Sequence, residues 1–162
     1  MANTYEKIAT TTLGSAAATI TFSSISGSYT DLVLVLAGKN DVAANRAVRL
    51  RFNSDSGSNY SYTYIQGDGS SSTTTRASSS TEMQFGNFTG EQTVSIINVQ
   101  NYSNTTTYKT AITRTSVPNT VVQAFTGLWR NTAAITRIDL TLNADNFNTG
   151  CVATIYGILK AA

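Results

Sequence analysis

Along most of the chain, apolar residues recur at every second position in short runs, and clusters of Gly, Ser, Asn and Asp separate those runs. That is the pattern of half-buried strands joined by turns. The sharpest case is Ala47 to Asn53, with Val48, Leu50 and Phe52 on one side and Arg49, Arg51 and Asn53 on the other. It predicts a strand in a sheet with one wet face. Asp31 to Ala37 (DLVLVLA) is apolar at both parities and predicts a mid-sheet strand covered on both faces. Tyr5 to Thr12 and Ala17 to Phe22 predict a first pair across Leu13-Gly14-Ser15. Tyr60 to Gln66 places Tyr60, Tyr62 and Tyr64 on one face, and Thr81 to Phe88 turns Met83 and Phe85 inward. Gln92 to Gln100 and Tyr108 to Thr115 flank a polar turn, and Thr120 to Trp129 follows the turn at Pro118. The final strands are Ala134 to Leu142, with Ile138, Leu140 and Leu142 inward, and Gly150 to Ile158. Val48, Leu50, Phe52, Trp129, Ile138, Leu140 and Tyr156 are the expected core.

About ten strand candidates at short intervals, with no helical period and no internal repeat, predict an all-β chain. The reading is a single antiparallel β-sandwich over residues 1–162, its longer connections suiting jelly-roll-like wiring. Segment 68–80 (DGSSSTTTRASSS) has Ala77 as its one apolar residue and is expected to be a solvated, mobile loop. Composition sharpens this picture. The 162 residues include 27 Thr, 18 Ser and 14 Asn against 20 charged side chains. Such residues disfavour helix and suit strands and turns.

The same composition removes much chemistry. The chain has no histidine, and its single cysteine permits neither an intrachain disulfide nor a multi-cysteine metal site. No G-x-S-x-G elbow is present. Cys151, opening a strand, reads as a small apolar side chain. Nine carboxylates leave a glycan hydrolase conceivable: Glu6, Asp31, Asp41, Asp55, Asp68, Glu82, Glu91, Asp139 and Asp145. Most fall at turns, and Asp139 alternates with Arg137 as solvated charge. The Asx-rich turn at 143–148 departs from calcium-loop spacing at Phe147 and has no closing Glu. The expectation is therefore a non-enzymatic protein with no cofactor and no metal. Sequons such as Asn59-Tyr-Ser read as chance matches in so Asn-rich a chain. No secretory signal is expected, and the longest apolar run, Leu32 to Ala37, is far short of a membrane span. A net charge of +2 argues against a nucleic-acid partner.

Two surface features remain. Arg46, Arg49 and Arg51 form the basic cluster, a candidate contact with acidic groups of a partner protein. Tyr60, Tyr62 and Tyr64 form a candidate recognition face, since tyrosine presents a large area with a polar tip.

Three stretches, YEKIATTTLGSAAATITFSSISGSYTDLVLVL, LRFNSDSGSNYSYTYIQGDGS and GLWRNTAAITRIDLTLNADNFNTGCVATIYGIL, resemble small virion structural proteins of tailed bacteriophages. The resemblance implies a jelly-roll decoration (cement) subunit on the capsid surface, assembled in the host cytoplasm. Its partners would be the major capsid protein or other virion proteins, with no nucleic acid and no membrane. It also implies a homotrimer. Association fits the scarcity of edge protection, with one proline and few lysines, and the Thr/Asn strands at 92–100 and 108–115 are the expected contacts. The alternative is a tail-fibre or receptor-binding domain that recognises host-surface glycan.

Overall fold

A computed structural model describes residues 4–159. Twelve strands form among them: β1 (Tyr5–Thr12), β2 (Thr19–Phe22), β3 (Asp31–Gly38), β4 (Arg46–Phe52), β5 (Tyr60–Gly67), β6 (Ser72–Ser80), β7 (Met83–Phe88), β8 (Thr93–Gln100), β9 (Lys109–Val117), β10 (Val121–Trp129), β11 (Ile138–Leu142) and β12 (Val152–Ile158). They make two antiparallel sheets, one ordered β1-β12-β3-β8-β9-β10-β5-β6 and the other β2-β11-β4-β7. No helix occurs among the described residues. The architecture is an all-β, jelly-roll-like sandwich.

The alternation read from the sequence decides what fills it. Val48, Leu50 and Phe52 of β4, Ile138, Leu140 and Leu142 of β11, and Met83, Phe85 and Phe88 of β7 point inward from the small sheet. Leu32, Leu34 and Leu36 of β3, with Ile97, Val99, Trp129, Ala153 and Ile155, meet them from the large sheet. Leu140 stands opposite Ile20 on one side and Leu50 on the other. Phe52, Tyr60 and Trp129 form an aromatic cluster whose ring centroids lie 5.5–6.5 Å apart.

Several expectations are corrected. β1 and β2 do not pair: β1 lies beside β12 and β2 beside β11, in different sheets. The chain between them crosses the sandwich, anchored where Ala17 and buried Phe147 exchange backbone hydrogen bonds. Alternation says which side of a strand is buried, not which strand lies next to it. Segment 68–80 is not a loop throughout, because Ser72–Ser80 is strand β6. Its hairpin turn is built by Asp68, whose Oδ1 accepts from Ser70 N and Ser71 N at 2.8 and 2.7 Å, with Gly69 at φ 92°. A strand without apolar alternation forms here because β-branched Thr suits it and neither face reaches the core.

The strands at 92–100 and 108–115 are not edges. β8 and β9 sit mid-sheet, and their inward Ser95 and Thr115 bond to each other at 2.7 Å beneath Gly86 of β7. Inward Ser and Thr read as surface until their hydrogen-bond partners are known. Tyr156 points outward and is half-buried, in register with Val33, while Ile155 points inward. GCVATIY is apolar at both parities, so periodicity could not choose. The next residue, Gly157, leaves the space the Tyr29 ring fills: a Cβ there would lie 2.2 Å from Tyr29 Cγ. β3 is mid-sheet as expected, but only Leu32, Leu34 and Leu36 face the core, and Val33 and Val35 lie on the outer side.

Candidate interaction surface

The three arginines do not form an open cationic patch. Arg46 pairs with Asp145, Arg49 with Glu82, and Arg51 reaches the other Glu82 oxygen at 3.4 Å. Arg137 pairs with Asp139 at 2.8 Å nearby. Four guanidinium groups thus meet three carboxylates, and the outer side of the small sheet keeps about one net positive charge.

Asp139 corrects its expected role as solvated charge, being 7% exposed. Burial opposes its ionisation, but hydrogen bonds from Arg137, Thr21 and Ser54 outweigh that and hold its pKa below the usual carboxylate range. Asp55 is held low in the same manner: burial works against it, and Trp129 Nε1 (2.7 Å), Asn59 Nδ2 and Gly57 N donate to it. Oxygens of the Asx-rich turn are engaged by other segments: Asn143 Oδ1 accepts from Ala47 N and Asp145 pairs with Arg46, while Asn146 donates its Nδ2 to Asp41 Oδ2. Among the described residues, no three Cys, Asp or Glu side chains gather into a metal-holding group. Cys151 is 1% exposed, its thiol bonded to Lys39 O at 3.1 Å, and burial pushes its pKa up.

The tyrosine row faces inward. Tyr60 is fully buried, its hydroxyl accepting from Phe52 N at 3.0 Å and donating to backbone carbonyls. It is a core residue and not part of a recognition face. Tyr64 lies half-buried with its ring centroid 4.8 Å from that of Phe125. Tyr62, also half-buried, lines an open cleft of about 310 Å³ with Arg49, Glu82 and the segment 79–81. The fold therefore brings one arginine and one tyrosine of the two candidate sets together.

The largest exposed feature was not singled out from the sequence. It is the outer side of the eight-stranded sheet. Registers place Val35, Ile96, Arg114, Ala124 and Ile65 in one transverse row, and Val33, Asn98, Ile112, Thr126 and Thr63 in the next. Ile65 (58%), Val94 (50%), Ile112 (45%) and Val122 (69%) are exposed there. Ile65, Arg114, Val122 and Ala124 line a shallow depression of about 430 Å³. Eight strands about 4.8 Å apart, with about seven residues at about 3.4 Å each, give the face roughly 900 Å². That compares with about 800 Å² per partner in a standard interface. Its charges are Lys7, Arg76 and Arg114 against Asp31, whose carboxylate already accepts from Asn101 N. In β3 the signal was present as apolar residues at both parities, which read as a strand covered on both faces.

No family model matches the chain, and no curated protein matches its sequence.

Proposed function

We propose that the chain is a non-enzymatic virion structural subunit, a decoration (cement) protein that packs the outer face of its large sheet against the major capsid protein. The uncovered apolar face carries this reading. Exposed Ile65, Val94, Ile112 and Val122 gathered on one sheet side are the kind of apolar patch that marks a protein contact. Its excess of Lys7, Arg76 and Arg114 suits a partner surface that is apolar and acidic. The partner class and the capsid surface as place of action are what the resemblance to phage virion proteins implies. A subunit that binds only assembled lattice stabilises it by mass action, about 2.7 kcal/mol per site at a hundred times Kd.

The test is co-sedimentation with capsids assembled without the protein. The wild-type chain should saturate them at hundreds of copies, and Ile112→Asp with Val122→Asp should abolish binding while circular dichroism is unchanged. Absence of wild-type binding would overturn the function, and full binding by the double variant would overturn the docking face.

A second reading rests on the cleft of Arg49, Tyr62 and Glu82. An aromatic face beside a guanidinium and a carboxylate is chemistry that holds a sugar, as a receptor-binding domain requires. Host-surface glycan would then bind the wild-type chain, and Tyr62→Ala would lose it; an absence of wild-type binding on a glycan array rejects this reading.

A further inference from the structure

The two sheets have four edges, and three are guarded. β2 is four residues long, and β7, six residues long, carries a register shift against β4 between Val48 and Arg49. β1 carries Glu6 and Lys7 and a register shift between Lys7 and Ala9. Short length, charge and bulges are the devices that stop an edge from recruiting another strand. Over Ser72–Ala77, β6 has neither short length nor a bulge, and its one charge is Arg76. That stretch contains no proline, lysine or acid, it pairs β5 in unbroken register, and Ser72 to Arg76 are all exposed. β5 is its one substantial neighbour, so β6 overhangs the sandwich. Protection returns beyond Ala77, where Ser79 takes φ 55° and the register with β5 shifts.

We propose that β6 is a self-association edge: two copies of this chain pair it antiparallel about a two-fold axis at Thr74, joining their large sheets into one. The two-fold stands perpendicular to the sheet, so outward residues meet outward residues and the axis falls on a residue. Charge selects which. With the axis at Thr74, Thr73 meets Thr75, Ser72 meets Arg76, and the two Arg76 lie four residues apart, about 14 Å. That exceeds the Debye length of about 8 Å at physiological salt. Moving the axis to Thr75 halves the separation, and moving it to Arg76 sets like charges opposite each other. Moving it to Thr73 runs the pairing into the turn at Asp68–Ser71. Opposed threonines suit a cross-strand pair. This contact stands on the edge alone and is independent of the capsid reading.

Single cysteines read the register, because Cys151 is buried. Directly opposed residues in an antiparallel pair have Cα atoms about 4.5–5.5 Å apart, within the span of a disulfide. Under mild oxidation of the full chain, Thr74→Cys should form a covalent dimer. Ser72→Cys alone should not, but a mixture of Ser72→Cys and Arg76→Cys should cross-link. Sedimentation of the untagged chain should show a dimer, and Thr74→Lys should weaken it at least tenfold with an unchanged circular dichroism spectrum. A monomer at every concentration overturns the proposal. So does a trimer without the Thr74 cross-link, or equal cross-linking from Ser72→Cys alone.

Discussion

Replacing Leu140 with alanine tests the division of the molecule into a buried and an exposed side. Leu140 is fully buried at the centre of β11, between Ile20 and Leu50. The substitution removes three carbons, and at about 0.8 kcal/mol each the lost transfer energy is roughly 2.4 kcal/mol. β11 itself is held by ladders on both sides, so the site collapses little. A residual void of roughly 60–80 Å³ at about 24 cal/mol per Å³ adds about 1.5–2 kcal/mol. The expected loss is about 4 kcal/mol, or roughly 8–16 °C in Tm for a chain of this size. Urea unfolding followed by fluorescence of Trp129, the sole tryptophan and 1% exposed, measures it directly. The midpoint should fall with the slope unchanged. Val122→Ala, at a position 69% exposed, should change stability by under about 0.5 kcal/mol in the same assay. A loss below about 1 kcal/mol for Leu140→Ala, or one above about 2 kcal/mol for Val122→Ala, would refute the assignment of faces.

Other expectations test separate details. Because the pKa of Asp139 is lowered on folding, its ionisation stabilises the protein above the unfolded value of about 3.9, and that stabilisation is lost as pH falls through the folded value. The stability gap between wild type and Asp139→Asn should therefore be constant from about pH 7 to 5 and shrink toward pH 2, as pH-resolved urea titrations would show; a gap independent of pH contradicts the ion-pair account. Cys151, buried and with a raised pKa, should resist thiol reagents in the native state and react only on unfolding; rapid native labelling would place it elsewhere. Gly157→Ala drives a Cβ into the Tyr29 ring and should cost about 1–3 kcal/mol. In a double-mutant cycle with Tyr29→Ala the two losses should fall short of additive, and strict additivity would separate the two residues.

Resemblance aside, the period-2 runs determined much of the fold. Val48, Leu50 and Phe52 against Arg49 and Arg51 are legible because a side chain's face in a strand alternates with its number, and burial needs apolar atoms on one face only. The absence of a helical period and the abundance of Thr, Ser and Asn fixed the all-β class for the same local reason. Where both parities are apolar, as in β3 and β12, that code is silent. Val33, Tyr156 and Ile96 then lie on the outer face, although nothing in their spacing separates them from core.

What tertiary structure alone decided is neighbourhood. That Arg49 and Arg51 share Glu82, thirty-odd residues away, follows from β4 lying near the start of β7. That Asp139 is a buried, bonded carboxylate follows from Thr21 and Ser54 arriving from either side. β6 shows the converse: its polar sequence permits strand or loop, and pairing with β5 makes it a strand. Hydrogen-bond ladders join residues far apart in the chain, so the sequence determined which way the alternating strands face, and the assembled sheets determined what each one meets.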